Sequence, residues 1–523
     1  MDARGHRQKQ AGSDWSPVSA APTAIILRWH FVLSLCGRYF GLMLTQSHIK
    51  PYYAPMFGNE VYGERRRRLV ERLNEKGFSG GLVILAANGE SPINYRDNCY
   101  PFRQDSNWLY FIGLDAPDML AFIDLADGHT SLYADGVTMD DTIWAGPCPG
   151  VGELASMSGI AAFYSLDKAQ DSVRSAAARR EDFYLLPFYR AETKENLTLK
   201  TGLSARQLDA AVSLELVDAV VGLREIKEER EIAEMEKAVS ATTAMHEALL
   251  DQLRPGWTGQ EAQALVQYTA ARQGCRLSFA TIATVHGETL HNHSYEYVCR
   301  DGDLLLLDAG AETASGYAGD LTTTFPVGGA FTSRQAQIYD ILSRVFSDAT
   351  KSLAPGKRFL DVHRDACLSL VRGLKEVGIM RGDPAEAVSA GAQALFFPHG
   401  LGHMIGLDVH DMEGLGEDRV GYGPGMRRSS QFGLASLRLA KELKPGMVHS
   451  VEPGIYFIPA LIEKWESERH LSDFIDYNEL KNWIDLGGMR MEEDWLVTPN
   501  AARRLGPALD KSRKAIERRR IEA

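Results

Sequence analysis

Residues 300–326 read RDGDLLLLDAGAETASGYAGDLTTTFP, and this stretch predicts a hairpin of two strands. Its four consecutive leucines, Leu304–Leu307, form an apolar run short enough for a buried strand, and LTTTF follows as a second β-prone run. Asp308 ends the first run and Asp320 stands at the head of the second, so a hairpin would bring both carboxylates together. A carboxylate at the end of a buried strand is costly unless it is paired, protonated or bound to metal. Taken alone, either aspartate could instead cap a turn.

Two later strand signals also carry acidic residues. GMVHSVEPGIYF (446–457) contains Glu452, and GGMRMEEDWLVT (487–498) places Arg490, Glu492 and Asp494 on one face by strand alternation. Acidic side chains in apolar strands are unusual. Their recurrence indicates a shared site.

Histidines are concentrated in FFPHGLGHMIGLDVHD (396–411). His399 and His403 are four apart and would share a helical face, as in the H-E-x-x-H zinc motif, but only glycine and leucine lie between them, which disfavours a zincin. For His410 alone, a hydrogen-bonded core histidine is the ordinary interpretation. Adding one imidazole from this segment to the four carboxylates gives a candidate ligand set: Asp308, Asp320, His403, Glu452 and Glu492.

This set is too large for one structural zinc and too rich in oxygen for a soft metal. It suits two hard or borderline divalent ions that lie about 3.5–4 Å apart and are bridged by carboxylates, as in two-metal hydrolases. His291 and His293 in GETLHNHSY (287–295) could line the same site or be structural.

Composition limits the possible partners and location. With 57 Lys and Arg against 69 Asp and Glu, the net charge is −12, which argues against a nucleic-acid binder. The six cysteines are scattered without a C-x-x-C pair, so a reducing, cytoplasmic location fits best. The apolar stretch Ala24–Leu44 contains Arg28 and Arg38, each costing about 2.5–3.5 kcal/mol in a bilayer, so no membrane association is expected.

The 523 residues are enough for two or three domains. Residues 1–55 are interpreted as a poorly ordered extension, 56–220 as an α/β domain, 221–510 as a second domain and 511–523 as a charged tail. The α/β domain begins with a helix over 64–77, whose arginine run is interpreted as a solvated face. Its strand-like runs occupy 80–89, 108–114, 120–125 and 183–188, and one long charged helix is predicted over 223–253.

The motifs together resemble those of the pita-bread metallopeptidases, in the aminopeptidase P and prolidase branch. The matching stretches are LHNHSY, DAGAETASGYAGDLTTTFP, PHGLGHMIGLDVHD, SVEPGIYF and GGMRMEED, and FRQDSNWLYFIGLDAPD (102–118) resembles the creatinase-like domain that precedes the catalytic one. The resemblance implies an α/β N-terminal creatinase-like domain followed by an α+β pita-bread catalytic domain.

The resemblance also implies how the site residues are used. Asp308 would serve one ion, His403 and Glu452 the other, and Asp320 and Glu492 would bridge both. The resemblance implies Mn²⁺, while the ligand types alone leave cobalt, zinc and iron open. A metal-bridging hydroxide would attack the carbonyl before proline, with Glu452 as proton acceptor. His399 and His410 would stabilise the oxyanion or bind the substrate backbone. The positions that match substrate contacts are His291, His399, His410, Arg490 and Arg438.

Three functions remain open on this resemblance. An Xaa-Pro aminopeptidase, acting on peptides with proline second, is favoured by the FRQDSNWLYF region and the HNH triplet. An Xaa-Pro dipeptidase (prolidase) must meet the free proline carboxylate with cations, and GLASLRLAKELKPGMVHSVEPGIYF (433–457), with Arg438, resembles prolidases too. A pita-bread binding module with an inactive site is disfavoured because all five ligand positions are filled. Members of this branch form homodimers or homotetramers through the N-terminal domain.

Overall fold

A computed structural model describes residues 55–522. The expectations for residues 1–55 and for Ala24–Leu44 therefore lie, except at Pro55, outside the described residues. Within 55–522, none of the helices combines the length and apolar character needed to cross a bilayer.

The N-terminal part is built on a five-stranded sheet in the order β6-β5-β4-β1-β7. Strand β4 pairs antiparallel with β1 and β5, whereas the outer strands β6 and β7 pair in parallel. The strands are β1 (Leu82–Ala86), β2 (Pro92–Tyr95), β3 (Asn98–Cys99), β4 (Leu120–Asp124), β5 (Thr130–Tyr133), β6 (Ala162–Tyr164) and β7 (Phe183–Tyr184). The helices are α1 (Asn59–Glu75), α2 (Ser106–Phe111), α3 (Met139–Ala145), α4 (Val151–Met157), α5 (Lys168–Ala178), α6 (Ala191–Thr201), α7 (Ala205–Ala210) and α8 (Leu214–Arg224).

One strand prediction in this part is wrong. Residues 108–114 were expected to form a strand, but the segment begins inside helix α2. The Asp105 side chain accepts hydrogen bonds from the backbone N–H groups of Asn107 and Trp108, both at 2.9 Å, and so caps the helix. A short apolar run does not distinguish a buried strand from a buried helix turn.

The arginine run of α1 is only partly solvated, which corrects the prediction of an exposed face. Arg65 and Arg66 are buried, whereas Arg67 is exposed. The Arg65 guanidinium lies 4.0 Å from the centre of the Tyr110 ring and 3.2 Å from Glu228. These contacts attach α1 to the start of the second half of the chain.

The C-terminal part surrounds a set of short antiparallel sheets. Its strands are β8 (Arg276–Leu277), β9 (Ile282–Thr284), β10 (Leu304–Ala309), β11 (Ala311–Glu312), β12 (Leu321–Pro326), β13 (Val448–Val451), β14 (Gly454–Tyr456), β15 (Gly488–Arg490), β16 (Glu493–Val497) and β17 (Ala502–Arg504). Its α-helices are α9 (Glu229–Gln252), α10 (Gly259–Arg272), α11 (Ser333–Lys351), α12 (Phe359–Glu376), α13 (Pro384–Ala390), α14 (Glu417–Gly421), α15 (Pro459–Ser467), α16 (Tyr477–Leu480) and α17 (Arg513–Glu522). Short 3-10 helices lie at Ala392–Leu395, Glu413–Leu415, Leu434–Ser436 and Ile484–Leu486.

The predicted hairpin is confirmed. Strands β10 and β12 pair antiparallel, with Asp308 opposite Thr322, and every residue of both strands is buried. The sheets order as β12-β10-β9 and β13-β16-β17, with β14 paired to β15. A bridge between Thr322 and Glu492 joins the hairpin to the last strands, so the acidic strand segments converge.

The helix predicted over 223–253 is two helices. Helix α8 ends at Arg224 and α9 begins at Glu229, where Glu228 and Glu231 form a capping box. The interruption directs Arg224 and Lys227 inward onto Asp411, which both contact at 2.6 Å. The expected domain boundary near residue 220 falls within α8.

The C-terminal segment 511–523, described above as a charged tail, contains a packed helix. Ile516 of α17 is fully buried, and the buried Arg520 donates hydrogen bonds to four backbone carbonyls, those of Leu250, Leu253, Pro326 and Val327. Just before the helix, the buried Lys511 donates to the backbone carbonyl of Glu492. The sequence shows Lys511 and Arg520 only as charged residues. It does not reveal that backbone carbonyls are their partners, because every residue has a carbonyl.

Candidate metal centre

A cavity of about 700 Å³ lies where the acidic strands converge. It is lined by the five predicted metal ligands, by the five residues predicted to contact substrate and by His293: Asp308, Asp320, His403, Glu452, Glu492, His291, His399, His410, Arg438, Arg490 and His293. Residues 396–411 contain no helix, so His399 and His403 do not share a helical face as expected. They enter the cavity from an irregular loop.

The centre of the cavity holds a group of possible metal ligands. Asp320, His403 and Glu492 each offer one ligand atom, these atoms lie within 4.8 Å of one another, and all three side chains are buried. His403 Nε2 is 3.6 Å from an oxygen of Asp320 and 3.6 Å from an oxygen of Glu452. Asp308 stands beside this group with its carboxylate bonded to the Arg490 guanidinium.

Close backbone approach brings these side chains together. A Cβ at Gly310 would lie 2.0 Å from the carbonyl oxygen of Gly319, so only glycine lets the two ends of the hairpin meet near Asp308 and Asp320. A Cβ at Gly402 would lie 2.2 Å from the carbonyl oxygen of Ser450. The histidine loop can therefore run directly along β13, and the His403 backbone N–H donates to the Ser450 hydroxyl.

The hydrogen bonding of His403 suits a metal ligand. Its Nδ1 lies 3.1 Å from the carbonyl oxygen of Met404, which can only accept, so Nδ1 carries the proton. The Nε2 lone pair is then free and points among the carboxylates. Fixing the tautomer through the other ring nitrogen is the usual arrangement for a metal-binding histidine.

The clustered carboxylates of Asp320, Glu452 and Glu492 repel one another when ionised, so a bound cation would stabilise their charged forms. Burial, followed by the charges of neighbouring carboxylates, raises the pKa of Asp320 and of Glu492 well above the usual range. Burial and the nearby Glu492 also raise the pKa of Glu452 to about 8. One oxygen of Asp320 and one of Glu492 are buried without a hydrogen-bond partner in the described chain. Unpartnered carboxylate oxygens beside one imidazole fit hard or borderline divalent cations.

His399 and Arg490 line the cavity and also have hydrogen-bond partners within the protein, and their predicted contacts with substrate stay a prediction. His399 Nδ1 lies 2.8 Å from the Gly400 carbonyl oxygen and Nε2 lies 2.9 Å from the Tyr456 hydroxyl. Burial, with the Arg490 charge, lowers the pKa of His399 to about 3, so its ring is neutral. Arg490 donates to Tyr456, Thr322 and Asp308. Both side chains therefore orient the cluster.

His410 and Arg438 lie at the wall of the cavity and share one partner. The His410 ring stacks on the His403 ring with 3.8 Å between centroids, and its Nδ1 is 3.0 Å from Glu413. Arg438 donates to the other oxygen of Glu413 at 2.6 Å. Burial, followed by the charge of His403, lowers the pKa of His410 to about 4. His291 and His293 are exposed at the cavity surface.

Sequence analysis missed four residues of this site. Thr322 donates to Glu492 at 2.7 Å, Asp494 accepts the backbone N–H of Asp320 at 2.9 Å, and Tyr456 and Glu413 make the contacts described above. Strand alternation could have found two of them, because Thr322 follows Asp320 by two residues and Tyr456 follows Glu452 by four. Asp494 was placed on the correct face without a role. Glu413 lies in a loop, where no periodicity indicates direction.

Comparison with known proteins identifies the family. The sequence profile of metallopeptidase family M24 matches residues 233–499, and that of the aminopeptidase P N-terminal domain matches residues 62–184. The chain belongs to metallopeptidase family M24. This M24 peptidase is thus a hydrolase of a family that uses divalent metal ions, in agreement with the oxygen-rich cluster.

Curated relatives of the M24 peptidase include both kinds of proline-specific enzyme. The human Xaa-Pro dipeptidase is 29% identical over 454 residues, 84% of this chain and 89% of the relative. A probable Xaa-Pro aminopeptidase of Ajellomyces dermatitidis is 29% identical over 450 residues, 83% of this chain and 91% of the relative. The branch expected from sequence is therefore confirmed.

Solved structures confirm the fold of the M24 peptidase. Zinc-substituted Escherichia coli aminopeptidase P in complex with product is 27% identical, with a TM-score of 0.71 over 89% of this chain and 99% of that one. The predicted architecture, an α/β N-terminal domain followed by an α+β pita-bread catalytic domain, is therefore confirmed.

Proposed function

We propose that this M24 peptidase is an Xaa-Pro aminopeptidase, which releases the N-terminal residue from peptides with proline in the second position. The observation that supports this best is the buried cluster of Asp320, His403 and Glu492 inside an extended cavity. An Xaa-Pro bond is a tertiary amide without an N–H, so a peptidase must select the proline ring by shape. The residues that line the cavity around the cluster would make this selection.

The five predicted ligands are our assignment for two divalent ions, with Mn²⁺ as the native metal. Carboxylate-rich ligation is compatible with manganese. Asp308 would hold one ion, His403 and Glu452 the other, and Asp320 and Glu492 both. When bound, such ions polarise the carbonyl before proline and lower the pKa of a water molecule.

Among the protein groups, Glu452 is our choice for the proton acceptor. It lines the cavity with one oxygen 3.6 Å from His403 Nε2, so its carboxylate would lie beside the bound ions, within reach of a proton released by the attacking water. His410 faces the substrate, and His399 and Arg490 orient the cluster through Tyr456. Exposed His291 contributes to the cavity mouth.

The charges around the cavity favour the aminopeptidase over the dipeptidase. A dipeptidase must bind the free carboxylate of proline with a cation. Every arginine that lines the cavity already has a carboxylate partner: Arg428 pairs with Glu417 and Asp418, Arg438 with Glu413 and Glu417, and Arg490 with Asp308. Longer peptides have an uncharged amide at this position and need no such cation.

A paired peptide panel tests this proposal. With Mn²⁺ present, we expect purified enzyme to cleave Xaa-Pro-Yaa peptides with higher kcat/KM than the matching Xaa-Pro dipeptides, because a buried carboxylate without a partner costs about 1–3 kcal/mol or more. Release of the first residue is measured by chromatography. Matched Xaa-Ala-Yaa peptides are the control and should remain uncleaved. Strict cleavage of Xaa-Pro dipeptides would contradict the aminopeptidase assignment.

We also propose a homodimer or homotetramer, formed through the N-terminal domain, in the cytoplasm. Helix α3 buries none of its residues and exposes Met139, Ile143 and Trp144, which supports a contact between subunits. The cysteines at described positions are all unpaired, which supports a reducing compartment.

A further inference from the structure

We propose that Glu413 determines specificity on the far side of proline, by making the site accept an amide and reject a free carboxylate. This inference rests on the proposed Xaa-Pro aminopeptidase function and names the residue that separates it from a dipeptidase. Glu413 acts through two other side chains, Arg438 and His410, and is a positioning residue.

The first contact neutralises the cation at the cavity wall. Arg438 Nη1 lies 2.6 Å from one oxygen of Glu413 and 3.0 Å from Glu417. Glu413 is the more buried of these two carboxylates, with 16% of its side chain exposed against 45% for Glu417. Its pairing with Arg438 is therefore the less screened of the two. An incoming carboxylate would have to displace it.

The second contact fixes the tautomer of His410. The other oxygen of Glu413 lies 3.0 Å from His410 Nδ1. An ionised carboxylate can only accept, so Nδ1 carries the proton of the neutral ring and Nε2 presents a lone pair. An N–H group can donate to that lone pair, whereas a carboxylate is repelled by it. The N–H after proline exists in a longer peptide and is missing from an Xaa-Pro dipeptide.

The position of Glu413 allows it to hold both groups from outside the active-site cavity. His410 lines the cavity that contains the metal cluster and also a second cavity of about 360 Å³ between the two domains. Glu413 lines only the second cavity among those two. It therefore stands behind His410 and reaches both His410 and Arg438 without contacting the metal cluster.

The decisive variant is Glu413→Gln, which keeps the shape and removes the charge. It leaves Arg438 with only the more exposed Glu417 as a carboxylate partner. Its amide N–H can donate to His410 Nδ1, which moves the ring proton to Nε2. Both changes favour a carboxylate ligand. We expect the ratio of kcat/KM for an Xaa-Pro dipeptide to that for the matching Xaa-Pro amide to rise about tenfold, the factor set by one charge-assisted hydrogen bond. A general loss of activity cancels in this ratio.

Three further variants complete the test. Glu413→Gln combined with Arg438→Gln should lose most of the gain, and Glu376→Gln, which removes an exposed ion pair with Arg344, should leave the ratio unchanged. If Glu413→Gln does not fold, Glu417→Gln provides a second measurement with an expected rise of about twofold, because it removes a more exposed partner of Arg438. An unchanged ratio in the folded variant would overturn the inference. The wild-type ratio alone tests the aminopeptidase function, so the two failures are distinguishable.

Discussion

Asp320→Asn will lose metal binding and peptidase activity, yet the metal-free variant will unfold at a higher temperature than the metal-free wild type. The carboxylate lies within the cluster of Asp320, His403 and Glu492, and replacing it removes one of the proposed metal ligands. Loss of a group that merely supports a ligand lowers metal affinity about 10–100-fold, so we expect a larger loss here. Metal affinity by calorimetry and thermal unfolding in chelator measure the two effects.

The gain in stability has an electrostatic cause. Burial and neighbouring carboxylates raise the pKa of Asp320 in the folded state. A raised folded pKa contributes stability below the unfolded pKa of an aspartate, and that stability is lost as pH rises through the folded value. Asn does not titrate, so Asp320→Asn does not lose stability in this way. The difference in stability between the metal-free variant and the metal-free wild type should therefore grow with pH. The pKa of Glu452 is likewise raised, from 4.5 to about 8, so this residue also makes the stability of the metal-free wild type fall as pH rises from about 4.5 to 8.

His410→Ala is the matched control for this prediction. His410 lines the same cavity and stacks on His403, but its Nδ1 is bonded to Glu413 and the side chain is outside the cluster of possible ligands. It should therefore keep its metal while turnover falls about tenfold, the loss expected when one hydrogen bond to the substrate, about 1.4 kcal/mol, is removed. Full activity in His410→Ala, or retained metal in Asp320→Asn, would contradict these roles.

Asp411→Ala will strongly destabilise the fold, although Asp411 lies outside the cluster of possible metal ligands. Asp411 is fully buried and accepts hydrogen bonds from Arg224 and Lys227, both at 2.6 Å. Burial alone would raise its pKa, but the Lys227 and Arg224 charges hold that pKa below the usual range. Removing the carboxylate leaves the buried Lys227 without its carboxylate partner and Arg224 with only Asp408, at 3.3 Å, which costs about 3–5 kcal/mol in the free energy of unfolding. Urea denaturation measures this change.

An exposed ion pair provides the comparison. Asp485 lies 2.7 Å from Arg334 with 67% of its side chain exposed, so Asp485→Ala should change the free energy of unfolding by less than about 1 kcal/mol. A similarly small change in Asp411→Ala would show that Arg224 and Lys227 find other partners. The site would be affected as well, because Asp411 follows His410 directly in the chain.

The convergence of the acidic residues on strands was predictable from the sequence, whereas the path of the histidine loop was not. The hairpin of β10 and β12 followed from four leucines between turn residues, and alternation placed Arg490, Glu492 and Asp494 on one face. Period-two patterns fix direction in a strand. The histidine loop has no such period. Its path along β13 depends on the close approach of Gly402 to Ser450, and this contact could not be predicted from the sequence.

Buried charge explains the other failures. The sequence shows Arg65 and Arg66 in an arginine run, for which a solvated face is the ordinary interpretation, and Arg224 and Lys227 in a segment predicted as a charged helix. Each is buried because a distant partner meets it, such as Asp411 for Arg224 and Lys227. Pairing between residues almost two hundred positions apart leaves no local signal. For the same reason Glu413, the proposed specificity residue, could not be identified before its contacts with His410 and Arg438 were known.

The measurement that tests the central claim most directly is the metal content of the purified enzyme. Protein stripped with chelator, titrated with Mn²⁺ and dialysed should hold two ions per chain by elemental analysis, and Asp320→Asn should hold fewer. Activity on an Xaa-Pro-Yaa peptide should rise as the ions bind. If the wild-type chain hydrolyses that peptide fully while holding no divalent ion, the buried carboxylates do not form a metal centre and the catalytic assignment is wrong.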